Sequence, residues 1–194
     1  MLNMLEAGSD WTRHFHHTDL VLTPAACYPL YPMVAGKLPA RGRLFDVQSY
    51  CFRYEPSDDP ARMQVFRQRE YVRVGSPESV RQFRDLWLER GQLMLRAVGL
   101  DVQAVVANDP FFGRGGAMLA ASQVEQALKF ELVVPVASRE ALTAAVSCNY
   151  HQDHFGVAFG ITNDDGSAAH TACVGFGLER ITLGLFKAHG FETK

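Results

Sequence analysis

The sequence lacks the features that define several large classes of protein. It has no apolar run near the roughly 18 residues that a membrane-spanning helix needs, so we expect no membrane partner. Its net charge of −2 differs from the strongly basic surface of a general nucleic-acid-binding protein. Only four of the 194 residues are cysteine, and no signal-peptide pattern precedes them, so a reducing, cytoplasmic setting is expected.

The composition is that of a folded globular protein. Hydrophobic residues make up 47% of the chain, which is enough for a sizeable core. No internal repeat or low-complexity linker divides the chain. We therefore expect a single domain over residues 1–194, with residues 1–19 irregular.

The order of predicted elements indicates an α+β fold. Strands are expected at the start of 18–36, over 42–56, 59–76, 101–109 and 128–136, twice within 142–161, and from 169. Ser76 and Pro77 are typical of a helix start. The apolar stripe of that helix is predicted to contain Val80, Phe83, Trp87, Met94 and Val98. A final helix follows Gly177, so the pattern favours an antiparallel β-sheet with flanking helices.

Charged residues are frequent in 51–72, where two strands should pair around a turn rich in Pro, Ser and Asp. Charges at alternating positions of paired strands project from one face of the sheet. If that face lines a cleft, its arginines suit phosphate, because guanidinium groups are forked donors with a permanent charge. The alternative is an exposed face with surface ion pairs of little energetic value. The residues of this stretch leave both interpretations open.

A glycine pair, Gly175 and Gly177, precedes the final helix and is followed by Arg180. Glycines at a helix start let a ligand approach the backbone closely. The pair is not a Walker loop, since no Gly-Lys-Ser/Thr follows it. It is not a dinucleotide fingerprint either, since the third glycine and the next βαβ unit are missing.

Taken together, the two stretches resemble the second and third signatures of class II aminoacyl-tRNA synthetases. The second signature is matched in order by Phe52, Arg53, Glu55, Arg62, Phe66 and Glu70, and the third by Gly175, Gly177 and Arg180. The resemblance implies a six- to seven-stranded antiparallel sheet that binds ATP bent over one face.

The resemblance also implies roles for individual residues in binding ATP with Mg²⁺. Arg53 would hold the α-phosphate and the attacking carboxylate, and Glu55 would meet the adenine amino group. Phe66 would stack on adenine. Arg180 would lie on the other side of the base and reach the γ-phosphate, for which Arg62 is a second candidate.

Within this class, the segment containing Cys27 is similar to that of the atypical, zinc-dependent seryl-tRNA synthetases and of the amino acid:carrier protein ligases. Those enzymes hold zinc with Cys, Glu and Cys, and Cys27, Glu70 and Cys173 stand at the matching places. Three protein ligands leave a fourth position open, as in catalytic zinc sites. The alternative is two buried apolar cysteines and a Glu70 paired with a neighbouring arginine.

The ligase group is the more specific match, and it implies a substrate pocket lined by Lys129 and Glu131, with Ser147 and Asn149 on the ATP side. The expected activity is activation of a small amino acid, glycine or alanine, as an aminoacyl-adenylate. The acyl group then passes to the phosphopantetheine thiol of a carrier protein, and no tRNA is expected to bind. The implied cofactors are Zn²⁺ and Mg²⁺, with ATP as substrate.

Two other hypotheses stay open, a truncated atypical seryl-tRNA synthetase core and a degenerate synthetase-like binding subunit. The first signature of the class, which builds the dimer interface, cannot be placed, so the chain is read as a fragment or a shortened relative in which a homodimer is an open expectation. Residues 62–96 contain eight arginines and four acids and, with Arg114, form a candidate surface for an acidic carrier protein.

Other residues are given plainer interpretations. His14, His16 and His17 lie near a terminus where metal binding is not expected. His151 and His154 should lie on opposite faces of an extended run and share no metal. Trp87, Cys51 and Cys148 are interpreted as core residues.

Overall fold

A computed structural model of the protein describes residues 7–10, 16, 18–109 and 116–191. The strands are β1 (Gly36–Lys37), β2 (Arg43–Phe52), β3 (Val65–Gly75), β4 (Gln103–Val106), β5 (Lys129–Val134), β6 (Thr143–Gln152), β7 (Ile161–Thr162) and β8 (His170–Gly177). The helices are α1 (Leu30–Met33), α2 (Pro77–Ala97), α3 (Gly116–Glu125), α4 (His154–Phe159) and α5 (Leu178–His189).

The main sheet has six strands in the described part of the chain, in the order β2-β3-β8-β6-β5-β4. Every neighbouring pair in it is antiparallel. The short strands β1 and β7 pair in parallel beside it. The α+β class and the antiparallel sheet expected from the sequence are therefore confirmed.

One face of the sheet packs against α2 and α5 and forms the larger core. Its strand residues share one phase of the alternation, as the cross-strand row of Val174, Cys148 and Phe130 illustrates. From α2, Val80, Phe83 and Leu95 are buried in this core, and Trp87 packs against it. Burial of this apolar face supplies the main driving force for folding.

The opposite face of the sheet is covered over only part of its area. The segment 25–38 lies on it and buries Leu30 and Tyr31 against Val72 and Val74 of β3. The rest of this face presents polar side chains rather than an apolar core. The fold thus separates a structural face from a face that is free to bind ligands.

Helix α2 shows how local sequence signals fixed an element and where they failed. The Ser76 side chain accepts a hydrogen bond from the Ser79 N–H, which confirms the predicted cap. The predicted stripe was wrong in the second half of the helix, where Met94 and Val98 are 52% and 47% exposed. Gly91 and Leu95 face the core there instead.

Two predicted strands are absent from the described structure. The second half of 142–161 forms α4, because β6 ends in a bulge with Gln152 at φ 55° and Gly160 closes the helix in the left-handed conformation. The run at 18–22 forms no strand, and its Val21 is 91% exposed. None of the described helices combines the length and the apolar character that crossing a membrane requires.

Candidate active site

Three potential metal ligands converge beneath the segment 25–38. One ligand atom each from Cys27, Glu70 and Cys173 lies within 4.8 Å of the other two, and all three residues are buried. Pairing of β3 with β8 sets Glu70 opposite Gly175 and Val72 opposite Cys173, so both ligands project from the same sheet face. The turn that contains Cys27 brings the third ligand down onto them.

The Glu70 carboxylate holds this turn in place. Its Oε1 accepts hydrogen bonds from the backbone N–H groups of Ala26 at 2.8 Å and Cys27 at 3.3 Å. A residue of a central strand thereby fixes a loop 43 positions away. Such outer contacts orient metal ligands and are part of the design of metal sites.

Cys173 has two polar neighbours from β6. The Asn149 Nδ2 donates to its Sγ at 3.3 Å, and the His151 Nε2 lies 3.6 Å from the same sulfur. The other ring nitrogen of His151 is 2.9 Å from the Thr171 hydroxyl. Burial lowers the pKa of His151 to about 4, so the ring is neutral near pH 7.

His151 was not predicted to belong to the site. The β-bulge at the end of β6 sets its direction, and simple alternation along the strand does not reveal a bulge. His154 begins α4 and is exposed. The only three-ligand group among the described residues contains neither histidine.

The electrostatics of the three ligands favour a bound cation. The hydrogen bond with Cys173 raises the pKa of the Cys27 thiol, and burial and the charge of Glu70 raise it further. The hydrogen bond with Cys27 lowers the pKa of Cys173, but burial and Glu70 outweigh it and the net direction is upward. Two thiolates and a carboxylate can coexist here only with a compensating positive charge, so the donor set fits a thiophilic divalent metal.

Arg53 follows β2 at the edge of this face. Its Nε donates to the Pro24 carbonyl oxygen at 2.9 Å, and its guanidinium carbon lies 5.2 Å from the centre of the Phe66 ring. The first contact ties Arg53 to the loop that leads to Cys27. The two predicted ATP ligands Arg53 and Phe66 are thus in contact with each other.

Arg180, from the first turn of α5, is the most constrained of the predicted arginines. Its Nε donates to the Ala61 carbonyl at 2.8 Å and its Nη1 to the Ala144 carbonyl at 2.9 Å. Burial lowers its pKa, as do the nearby charges of Arg53 and Arg62. Three guanidinium groups near one another attract a polyanion.

The carboxylates of Glu55, Asp59 and Glu131 lie near these arginines. Glu55 pairs with Arg62 at 3.6 Å, in a contact that is about half exposed. Glu55 and Glu131 both act on Arg180 to raise its pKa, against the effect of burial. The predicted ATP residues therefore lie close enough to interact electrostatically.

The predicted substrate residues Lys129 and Glu131 lie on β5, which is separated from β8 by β6 in the main sheet. Lys129 is buried and its Nζ lies 3.3 Å from Glu131 and 2.6 Å from Asp109. Asp109 also accepts from the Gln123 side chain at 2.8 Å. Asp109 was not predicted, because it lies beyond a strand end in a segment without a recognisable motif.

Ser147 and Asn149 of β6 lie between the substrate residues of β5 and the candidate metal ligands of β8 and β3. The Asn149 Nδ2 lies 3.4 Å from the Ser147 hydroxyl, and the strand register sets Glu131, Ser147 and Gly175 in one row. This row continues from Gly175 to Glu70 of β3. A single sheet face therefore carries all the predicted site residues from β3, β5, β6 and β8.

Some of the charges in 51–72 lie outside this arrangement. Arg67 pairs with Glu179 at 2.7 Å, and the Arg69 Nε donates to Asp46 at 3.0 Å. The surface ion-pair interpretation is correct for these two arginines. Arg114, His14 and His17 lie outside the described residues.

The remaining two cysteines are buried, as predicted. Cys148 lies in the larger core, and burial raises its pKa to about 12. Cys51 donates to the Gln68 side-chain oxygen at 3.3 Å, and burial raises its pKa to about 11. Both thiols are therefore protonated and unreactive near pH 7.

Comparison with known proteins identifies the relatives of this chain. It is 49% identical over 193 residues to amino acid–acyl-carrier-protein ligase 1 of Bradyrhizobium diazoefficiens. The alignment covers 98% of this chain and 59% of that protein. It is also 51% identical over 191 residues to ligase 2 of the same organism, and that alignment covers 97% of this chain and 57% of the relative. The chain is a homologue of the amino acid–acyl-carrier-protein ligases.

This ligase homologue spans somewhat more than half the length of those curated relatives. A more distant relative is the type-2 serine–tRNA ligase of Methanopyrus kandleri, 30% identical over 186 residues, which covers 89% of this chain and 35% of that protein. No protein-family model matches the chain.

Solved structures agree on the fold. The M. kandleri seryl-tRNA synthetase, in a complex with A. aeolicus tRNASec, has a TM-score of 0.73 at 24% identity and covers 88% of this chain and 35% of that one. The seryl-tRNA synthetase of Pyrococcus horikoshii complexed with ATP has a TM-score of 0.68 at 16% identity and covers 98% of this chain and 49% of that one. The fold is that of the class II aminoacyl-tRNA synthetases, as the sequence signatures indicated.

Proposed function

We propose that this protein activates a small amino acid, glycine or alanine, with ATP and transfers it to the phosphopantetheine thiol of a carrier protein. The observation that carries the proposal is the convergence of a buried Cys27, Glu70 and Cys173 group with the Arg53 and Arg180 region on one sheet face. Identity of about half to two proteins named amino acid–acyl-carrier-protein ligases supports it.

In the first step, a carboxylate oxygen of the amino acid attacks the α-phosphorus of ATP. The bond from that phosphorus to the bridging oxygen breaks, and pyrophosphate leaves. Mg²⁺, when bound, would neutralise part of the charge on the phosphates. Negative charge accumulates on the phosphoryl oxygens, where Arg53 and Arg180 stabilise it. Contacts to Pro24, Ala61 and Ala144 hold these guanidinium groups in place before ATP arrives.

The adenine base is proposed to lie on the ring of Phe66. Arg53 already contacts this ring, so base and phosphate sites adjoin. Glu55 would accept from the adenine amino group, and Arg62 would exchange its exposed partner Glu55 for the γ-phosphate. Ser147 and Asn149 would border the same ligand from β6.

In the second step, the thiol of the carrier protein attacks the carbonyl carbon of the aminoacyl-adenylate. A thioester forms, AMP leaves as its carboxyl–phosphate bond breaks, and the thiol proton is released. Lys129 and Glu131 are proposed to line the pocket of the aminoacyl group, because they share cross-strand rows with Cys173 and Glu70. The arginines of 62–96 that are not assigned to ATP binding are proposed to attract an acidic surface of the carrier protein. Such attraction mainly raises the rate at which the two proteins meet.

Zinc is the metal proposed for Cys27, Glu70 and Cys173, because thiolates with a carboxylate suit Zn²⁺. When bound, zinc supplies a Lewis acid that can hold the lone pair of the substrate α-amine. Glu70 would contribute twice, since the same carboxylate also fixes the Cys27 turn.

ATP–pyrophosphate exchange over the twenty amino acids tests the proposal. We expect exchange with glycine or alanine, and a loss of about 10²-fold or more in Arg53→Ala and Arg180→Ala, which is typical for a lost charge-stabilising donor. Arg96→Ala is the matched control, because Arg96 is an exposed arginine in the last turn of α2. Wild-type exchange in both site variants would refute the assigned roles.

The acceptor is decided by a separate assay. We expect a hydroxylamine-labile thioester on holo carrier protein and no label on apo carrier protein, which has no thiol. Charging of tRNASer without labelling of any holo carrier would favour the seryl-tRNA synthetase alternative, which the 30% identity to a type-2 serine–tRNA ligase supports. Binding of ATP without exchange would favour the degenerate binding subunit. Sedimentation velocity tests whether the protein forms a homodimer, which the sequence leaves open.

A further inference from the structure

Tyr31 is a fully buried residue of α1 whose ring is held on several sides. It stacks on Phe155 at 3.9 Å between ring centres with an angle of 8°. It meets the His151 ring edge-on at 6.3 Å and 82°. The ring therefore has one stable orientation, and the direction of its hydroxyl is fixed.

The hydroxyl of Tyr31 has no hydrogen-bond partner. Among the described residues it is the only buried side-chain nitrogen or oxygen of which this is true. Buried polar groups are normally satisfied, and each exception in a native fold calls for an explanation such as an unfilled ligand site.

The surroundings of this hydroxyl are the three candidate ligands. Tyr31 is buried in one packed cluster with Cys27 and Cys173. After burial, the nearby Cys27, Cys173 and Glu70 side chains raise the pKa of its hydroxyl further. The hydroxyl interacts with the Cys27 side chain but does not meet the geometry of a hydrogen bond to it. It is therefore aimed at the ligand group from the covering segment, opposite the sheet.

We propose that Tyr31 is a positioning residue whose hydroxyl donates a hydrogen bond to the sulfur of Cys27 when a metal ion is bound. A neutral thiol is a weak acceptor, whereas a metal-bound thiolate is a charged and much better one. The hydroxyl thus acquires its partner only when the site is filled. The inference rests on the metal site of the proposed function.

This role predicts a defined effect on metal affinity. Removing an outer hydrogen bond to a metal ligand typically weakens metal binding by about 10–100-fold. Tyr31→Phe keeps the ring and its stacking on Phe155 and removes the donor alone. We expect its affinity for Co²⁺ and Zn²⁺, measured by competition with a chelator, to fall by about tenfold or more. The sulfur-to-cobalt charge-transfer band should also shift.

Tyr28→Phe is the matched control. Tyr28 lies in the same turn, contacts Phe155 edge-on at 6.0 Å, and is 49% exposed. Its metal affinity and cobalt spectrum should equal those of the wild type. Without metal, Tyr31→Phe should melt at or above the temperature of the wild type, because it loses an unsatisfied buried group.

The outcomes separate this inference from the proposed function. Suppose that the wild type binds one metal ion and that Tyr31→Phe binds it with equal affinity and an unshifted spectrum. This result would overturn the role of Tyr31 but leave the metal site standing. Wild type that binds no metal would overturn the metal site itself. If Tyr31→Phe does not fold, 4-fluorophenylalanine at position 31 preserves the size of the side chain, and the same tenfold loss is expected of it.

Discussion

Gly175→Ala tests why the first glycine of the signature is glycine. Gly175 lies in β8 between Glu70 of β3 and Ser147 of β6, on the sheet face that carries the site. It is absent from the residues with positive φ, so its backbone suits any amino acid. The requirement must therefore be one of space.

The space above Gly175 is occupied by two side chains. A Cβ at this position would lie 2.6 Å from the Gln68 Nε2 and 3.3 Å from the Glu70 Cγ. Gln68 is buried and accepts the hydrogen bond of Cys51, so its amide cannot move away without a cost. Overpacking of this kind typically costs 1–3 kcal/mol, and we expect about 2 kcal/mol here, or a fall in Tm of about 4–8 °C for a chain of this length.

The second effect of Gly175→Ala concerns the metal. Displacement of Glu70 by a few tenths of an ångström disturbs both its metal-ligand position and its hydrogen bonds to the Cys27 turn. We expect metal retention after dialysis against a chelator to fall together with Tm, as measured by elemental analysis and thermal denaturation.

Gly184→Ala is the control for a glycine with room. Its Cβ would meet Leu100 and Val134 at 3.4–3.8 Å, which is ordinary contact, and it lies in the interior of α5. Alanine is the better helix former by about 1 kcal/mol, so this variant should be more stable. A Gly175→Ala protein with wild-type Tm and metal content would refute the steric argument.

Two further predictions follow from the site. Purified, metal-replete protein should contain about one zinc per chain, because three protein ligands with an open position suit a single zinc ion. Cys27→Ala and Cys173→Ala should each lose this zinc. Elemental analysis that finds no zinc in the wild type would contradict the prediction. For Asp109, burial raises the pKa, but the charge of Lys129 and hydrogen bonds outweigh burial and lower it overall. A carboxyl group whose pKa is lowered by folding stabilises the fold at any pH above its pKa in the unfolded chain, about 3.9. This stabilisation is lost as the pH falls through the lower pKa of the folded state. Asp109→Asn should therefore be less stable than wild type at pH 7, and denaturation curves that differ equally at pH 7 and pH 3 would argue against it.

Much of the fold could be predicted because its determinants are local. Ser76 and Pro77 start α2, and the strands β2 and β3 follow from alternating residues around a turn. The errors arose where local signals were ambiguous. Residues 154–159 have the composition of a strand, but a bulge at the end of β6 and the left-handed Gly160 turn them into a helix.

The candidate site was predictable only in part. Arg53, Phe66, Gly175 and Arg180 came from resemblance to two signatures of the class II synthetases, which can be matched because each lies within one short stretch. The assignment of Cys27, Glu70 and Cys173 came from resemblance to a family, since separations of 43 and 103 residues have no local period. His151, Asp109 and Tyr31 were not predicted to be near the ligands at all.

Neighbours within a few residues set which side chains alternate along each strand and where the main helices begin, so the sequence was enough to predict both. The folded structure is needed to show which strands lie side by side, and therefore that Glu70 and Cys173 share a face. It also brought the turn of Cys27 and the ring of Tyr31 over that face. The physical reason is that contacts between distant segments depend on register and packing, which no single stretch of sequence specifies.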